Sequence, residues 1–468
     1  MFFRQYELGC LSLFSYLIGD ERTGRAVVVD PQRDVSGYLA DAEHHSLRIE
    51  RVIETHFHAD FLSGHLELAA ATGAVVSYGA GARPEFPIEP LEDGQRLSLG
   101  DVVLEVRATP GHTPESISVV LYEHTSDTEP WGVLTGDALF VGDVGRPDLL
   151  ASAGWAAEDL ARELYRSIHD RLLSLPDATR VYPAHGAGSA CGKHLSTAIV
   201  STIGDERRTN YACAIPDEQR FVASVVGGQP APPRYFPYAA GANRRSHELL
   251  DDHDPPSELD VDAVLALQRR GAAVVDGRTP AAFAHGHLRG SVNVDLDGRF
   301  AEYAGDVVRP GQDIVVVTDR DREAEAKIRL ARIGFDRVVG HLPEIEQVLV
   351  ARPELSQRGP RITATDLAQW LADDPSLQLV DVRNDPELES GLIEGSRTIP
   401  LAQLLDRLAE LDRGATTVVY CARGNRSSIA ASLLRSSGFS RVADVLGGIE
   451  AWREAGLPVV AEGDGPRS

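Results

Sequence analysis

Six residues able to hold a metal stand in four fragments of the first 185 positions. THFHADF (55–61) supplies His56, His58 and Asp60, PGHTPES (110–116) His112, LTGDALF (134–140) Asp137 and YPAHG (182–186) His185. Each fragment reads as the loop that ends a strand, as RVIE does before the first, and strand-end loops are where α/β folds collect ligands. A lone histidine is usually packed or solvated. Four such fragments in this order make a metal site the expected centre of the protein.

The order resembles the metallo-β-lactamase superfamily, whose αββα sandwich packs two β-sheets face to face between helices, with strand-end loops converging on the metals. The usual first motif there is HxHxDH, and Phe61 takes its last position here. In two-metal members that Asp–His pair serves the second metal, and a phenyl ring cannot coordinate, so the resemblance implies a weakened second site. Carried over from the one-metal branch, the ligands are His56, His112 and Asp137. Two imidazoles and a carboxylate with open positions opposite suit non-haem Fe(II) and O2. Zinc hydrolases use the same ligand types with a water in the open position. The expectation is one Fe(II) per chain, with zinc less favoured. His58, Asp60 and His185 then orient ligands or substrate from outside that triad.

Further fragments, GDVGRPDL (142–149), HGAGSACGK (185–193) and GDERRTNYA (204–212), resemble persulfide dioxygenases fused to sulfurtransferases. That resemblance implies oxidation of a small-molecule thiol persulfide by O2 to sulfite and free thiol. Arg146, Lys193 and Arg207 offer positive charge suited to an anionic persulfide, or form a solvated basic surface. Cys191 lies six positions after His185 in a glycine-rich turn, where it either faces the metal pocket and relays sulfur or fills space. The competing readings are a zinc thioester hydrolase resembling glyoxalase II and a non-enzymatic persulfide sensor or sulfur carrier.

Beyond these motifs the chain repeats itself. AAVVDGRTPAAFAHGHLRGSVNV (272–294) parallels LQLVDVRNDPELESGLIEGSRTIP (377–400), and IVVVTDRDREAEAKIRLARIGF (314–335) parallels TVVYCARGNRSSIAASLLRSSGF (417–439). Each copy reads as strand, loop, helix, twice over, which is a small parallel-sheet α/β unit. Both copies resemble rhodanese domains. In the second, strand TVVY delivers Cys421 into the loop CARGNR just before a helix, a geometry that lowers a thiol pKa and cradles an anion. Cys421 is expected to carry sulfane sulfur, with Arg423 and Arg426 helping to bind sulfite or thiosulfate. In the first, Asp319 is set in the cysteine's place, with 15 positions to Gly334 against 17 from Cys421 to Gly438, so this copy is expected to be inactive. The expected order is a metal domain (1–225), an irregular linker rich in Pro and Gly (226–256), an inactive rhodanese-like domain (257–356), a catalytic one (357–462) and a tail (463–468).

Composition sets limits on partners and setting. The 468 residues carry 46 basic and 70 acidic side chains, a net charge of -24, which argues against nucleic acid or an anionic membrane as partner. Four cysteines, at 10, 191, 213 and 421, make no disulfide framework and suit a reducing compartment, with Cys10 and Cys213 as packed apolar residues. No stretch approaches 18 consecutive apolar residues and no basic, apolar leader opens the chain, so a cytoplasmic protein is expected. Association into a homo-oligomer is compatible with all of this.

Overall fold

The computed structural model describes residues 1–151 and 154–461, so the tail 463–468 lies outside the described residues. The chain divides into two compact units. The first comprises Met1–Gln229, Phe236–Asp251 and Arg332–Gly334, and the second Pro230–Tyr235, Asp252–Ala331 and Phe335–Ser468. No helix among the described residues is long and apolar enough to cross a membrane.

The first unit holds two six-stranded sheets. One runs, in sequence order, from Phe2–Leu8 through Leu13–Asp20, Arg25–Val29, Arg48–Ile53 and Val75–Gly79 to Glu89–Leu91. The other has the order Ser201–Thr202, Arg180–Pro183, Gly132–Gly136, Ile117–Tyr122, Val103–Ala108 and Arg96–Ser98. Side chains alternate between faces along a strand, and the packing follows that period. Ile117, Val119 and Leu121 join Val27, Val29 and Ile53 between the sheets, whereas Val120 and Tyr122 turn outward onto Leu164, Ile168 and Phe221. On the far side Ala26 and Val28 pack on Tyr38, Ala42 and Leu68 of the helices Ser36–His44 and His65–Thr72. Each buried Val, Leu, Ile or Phe among them contributes about 1.5–3 kcal/mol. The result is the αββα sandwich.

The second unit contains both repeats. The first copy is a parallel sheet in the order Val292–Asn293, Ala273–Asp276, Ile314–Val317, Val338–His341, and the second has the order Arg361–Ile362, Val442–Val445, Thr417–Tyr420, Gln378–Asp381, Arg397–Thr398. Helix Asn425–Ser436 of the second copy meets the edge strand of the first, where the Asn293 N–H donates to Ser432 Oγ at 2.9 Å.

Strand register corrects one sequence expectation. Asp276 pairs with Val317 and Asp381 with Tyr420. The residue after each, Thr318 in the first copy and Cys421 in the second, is therefore the equivalent position. Asp319 stands opposite Ala422, one step further on. The shift arises because the first copy's loop is one residue shorter than the second's, with 16 positions from Thr318 to Gly334 against 17. A second difference lies in the expected irregular stretch 226–256, where Phe236–Ala242 forms a helix. Pro237 falls in its first turn, where no N–H is needed, and the following alanines favour helix.

Candidate functional site

Every ligand candidate follows the carboxyl end of a strand. His56, His58 and Asp60 come after Arg48–Ile53, His112 after Val103–Ala108, Asp137 after Gly132–Gly136 and His185 after Arg180–Pro183. All six are buried. The ligating atoms of His56, His112 and Asp137 lie within 4.8 Å of one another. Asp137 Oδ2 is 3.5 Å from His112 Nε2 and 3.9 Å from His56 Nε2.

Hydrogen bonds at the back of each ring decide which nitrogen faces inward. His112 Nδ1 donates to the Arg146 carbonyl at 2.9 Å and His185 Nδ1 to the Ser12 carbonyl at 3.2 Å. A carbonyl only accepts, so both rings present an unprotonated Nε2 to the centre. His56 Nδ1 meets Thr55 Oγ1 at 2.9 Å, and that hydroxyl donates onward to Asp30 at 2.9 Å. Burial and the neighbouring imidazoles hold His56 well below its ordinary pKa, which keeps it neutral as a ligand must be. His56 Nε2, His185 Nε2 and both Asp137 oxygens are buried without a hydrogen bond. Buried polar atoms left unbonded are costly, and this convergent set fits a divalent cation. Gly145 permits the approach, because a Cβ there would collide with the Asp137 carbonyl.

A second group, His58, Asp60 and His185, lies alongside, with His185 Nε2 3.3 Å from Asp60 and 3.4 Å from Asp137 Oδ1. His58 is engaged elsewhere. Its Nε2 lies 3.1 Å from Asp30 and 3.4 Å from Glu54. Burial works against charge on this ring, yet those two carboxylates outweigh it and raise its pKa well above the ordinary value. Phe61 covers the ring at 4.3 Å between centroids, filling the imidazole's place with an apolar face.

The other candidates separate. Cys191 is buried with its sulfur grouped with Asp137 and His185, so it faces the metal pocket. Burial, followed by the Asp60 and Asp137 charges, pushes its thiol well above the usual range. Arg146 is buried beside it, but its guanidinium forks onto Asp148 at 2.7 Å and reaches the Ala190 carbonyl, which fixes the turn that carries Cys191. Lys193 Nζ bonds the Ser224 and Gly227 carbonyls at the end of helix Glu218–Val226, and Arg207 bonds Asp177 and the Leu173 carbonyl. Neither is brought to the metal. Asn243 carries no signal in the sequence, yet its side chain bonds the His58 and Phe61 carbonyls and the Ser63 N–H, clamping the ligand loop. Asp30, at the end of RAVVVD, was legible only as another strand-end acid.

In the second unit Cys421 is 2 % exposed and accepts a hydrogen bond from the Gly424 N–H at 3.1 Å, with Ser427 Oγ 3.6 Å away. Gly424, at φ +98°, turns that N–H toward the sulfur and starts the helix. Arg426 forks onto Glu387 at 2.6 and 2.7 Å, and the exposed Arg423 pairs with Glu450. Burial opposes charge on Arg426, but Glu387 and then Cys421 raise its pKa.

Comparison with known proteins agrees with this fold. The metallo-beta-lactamase superfamily matches residues 8–185, and the rhodanese-like domain matches 260–343 and 363–455. The mitochondrial persulfide dioxygenase ETHE1 of Homo sapiens is 32% identical over 237 residues, covering 50% of this chain and 83% of its own. The chain belongs to the metallo-β-lactamase superfamily, with persulfide dioxygenases among its relatives, and is a fusion of that domain to two rhodanese-like domains. A solved metallo-beta-lactamase of Staphylococcus aureus is 33% identical with a TM-score of 0.68, covering 73% of this fusion and 99% of its own chain. The cytoplasmic hydroxyacylglutathione hydrolase of Arabidopsis thaliana is 34% identical over 174 residues, covering 37% of the fusion and 63% of its own chain.

Proposed function

We propose that the first unit oxidises a low-molecular-weight thiol persulfide with O2, and that Cys421 passes a second sulfane sulfur to the resulting sulfite. One hydropersulfide, one O2 and one water give one thiol, one sulfite and two protons. Cys421 hydropersulfide and sulfite then give the Cys421 thiol and thiosulfate. The observation that carries this reading is the buried triad His56, His112 and Asp137, with its second-site imidazole replaced by Phe61. Bound Fe(II) would supply the redox capacity that activates O2 toward sulfur. The chain's own residues do the rest. Thr55 and the Arg146 carbonyl aim the two imidazoles, Cys191 forms a wall of the pocket where the persulfide docks or relays its sulfur, and burial excludes bulk water. At the second site the Gly424 N–H stabilises the Cys421 thiolate, and Arg423 and Arg426 attract sulfite. The four cysteines are free thiols, in keeping with a reducing cytoplasm.

The group His58, Asp60 and His185 favours a second reading, a two-zinc thioester hydrolase. The engagement of His58 with Asp30 and Glu54 weighs against it. Metal analysis of the purified chain, together with oxygen uptake on persulfide, decides between them. About one iron per chain and loss of uptake in His56→Ala, His112→Ala and Asp137→Ala are expected; two tightly held zincs with thioesterase activity would establish the hydrolase instead. Cys191→Ser is expected to slow uptake per bound iron, and an unchanged rate would make it a packing residue.

A further inference from the structure

A cavity of about 180 Å³ opens between the two rhodanese-like copies. It is lined by Asp295, Arg299 and Tyr303 of the first, with Asn425, Ser428 and Ile429 of the second. Asn425 and Ser428 belong to the opening turns of the helix whose N-cap, Gly424, donates its N–H to the Cys421 sulfur. Asn425 also belongs to the loop CARGNR that carries Cys421, so the cavity borders the loop of the reactive sulfur. The first copy has lost its own cysteine and still supplies half of this wall.

We propose that this cavity seats the organic end of the sulfur compound that trades with Cys421, and that it takes an α-amino carboxylate, the group shared by cysteine and the γ-glutamyl end of glutathione. The proposal rests on the sulfur-transfer reading of Cys421. The volume is below the ~300 Å³ at which drug-sized ligands begin to fit and has room for about six waters, which suits an amino acid and not a nucleotide-bearing thiol. The charge pattern is the stronger argument. One cation, Arg299, and one anion, Asp295, line the wall, and Glu302 pairs with Arg299 beside it. With Glu302 counted, one cation meets two carboxylates, so a bare dianion such as thiosulfate is disfavoured, whereas a zwitterion offers a carboxylate to Arg299 and an ammonium to Asp295. Inorganic anions are left to the Cys421 loop. In the transfer, the Cys421 thiolate bonds to the outer sulfur of R–S–SH, the donor S–S bond breaks, and its electron pair leaves with R–S⁻. Cys421 keeps the hydropersulfide.

The test uses the full chain without oxygen, with sulfite as acceptor and thiosulfate formation as readout for the persulfides, and cyanide as acceptor when thiosulfate is the donor. Donors are the hydropersulfides of cysteine, glutathione, cysteamine (no carboxylate) and N-acetylcysteine (no ammonium). Wild type is expected to prefer cysteine or glutathione over the last two by about tenfold in kcat/KM, and the better of the first pair identifies the source. Arg299→Gln and Asp295→Asn should each raise the ratio of KM for that donor to KM for thiosulfate by about tenfold, the loss of one charged contact. Tyr303→Phe, a milder change, should raise it less. As a second readout, unreactive S-methylcysteine should bind the Cys421→Ser chain and lose that binding with Arg299→Gln or Asp295→Asn. Equal use of cysteamine persulfide, or ratios unmoved in both charge variants, overturns the cavity assignment. Transfer that survives Cys421→Ser overturns the sulfur-transfer reading instead.

Discussion

The two rhodanese-like copies share a framework and differ in the loop where sulfur transfer is proposed. In both, an Asp-x-Arg fork is buried at the end of the first strand, Asp276 with Arg278 and Asp381 with Arg383, each with a 2.6 Å contact. Both place a strand end beside that fork, so the loop position is prepared twice. In the second copy the loop presents a thiol, an N–H aimed at sulfur and two arginines. In the first it presents Thr318, and the cavity of about 410 Å³ around it is lined by Asp319, Asp321, Glu323 and Glu344. An acidic wall repels sulfite and thiosulfate, so the first copy is expected to be inactive both for want of a nucleophile and through charge. The framework is held by burial, which tolerates no uncompensated charge, whereas the loop includes exposed positions, Asp319 and Arg320 in the first copy and Arg423 in the second, that are free to change.

The largest expected effect is on the reactive copy. Cys421→Ser should reduce thiosulfate:acceptor transfer on the order of a thousandfold, since the hydroxyl cannot carry sulfane sulfur, and shift the product of persulfide oxidation from thiosulfate to sulfite. Retained transfer would mean that the two copies do not differ as argued.

Breaking the shared fork sharpens the comparison further. Asp381→Ala strands a buried guanidinium and should cost about 3–5 kcal/mol. Asp276→Ala should cost less, because Arg278 keeps Glu346 at 2.8 Å while Arg383 falls back on neutral partners such as the Gly391 carbonyl. Chemical denaturation of both variants would measure the difference, and equal costs would show that Glu346 does not compensate.

A smaller effect depends on pH. His287 is buried against Phe283, where the second copy has Leu392 at the matching place in its GxxxG turn. Burial lowers its pKa from 6.5 to about 4. The unfolded chain thus takes up the proton first, and stability present above about 6.5 is lost as the pH falls through about 4, by roughly 3 kcal/mol. Thermal unfolding of His287→Leu at neutral pH and near pH 4 should show that this loss shrinks, and Leu392→His should create the same acid sensitivity in the second copy. An unchanged pH profile in both would remove His287 as its source.

The smallest expected effect is none. Thr318→Cys should not create sulfur transfer, because the loop is one residue short and its surroundings are acidic. Measurable thiosulfate:acceptor activity in Thr318→Cys combined with Cys421→Ser would show that the nucleophile alone separates the copies.

Much of this was legible in the residues. The four strand-end fragments announced the cluster of candidate ligands, and the repeat announced two parallel-sheet units, because both signals are local: such residues fall where strands stop, and strand, loop and helix follow from short-range periodicity. The equivalence of Thr318 with Cys421 was not legible, since two loops of different length can be matched in more than one way until hydrogen-bonded register selects one. Arg146 and Lys193 looked alike as cations near the site. Only the fold tied the first to Asp148 and the second to helix carbonyls.

By itself, the sequence determined which chemical groups the protein owns: two imidazoles and a carboxylate able to hold a metal, a cysteine before a helix, and a threonine–aspartate pair where a second cysteine loop would be. Tertiary structure decided which of those groups meet. Each ring's inward nitrogen is set by Thr55, the Arg146 carbonyl and the Ser12 carbonyl, and the metal loop is clamped by Asn243 from 182 to 185 positions away. The cavity bordering the helix after Cys421 takes Arg299 from a different copy. Such partners are chosen by packing, because a buried donor or acceptor must find its complement in three dimensions wherever the chain happens to bring one, and sequence distance carries no information about that.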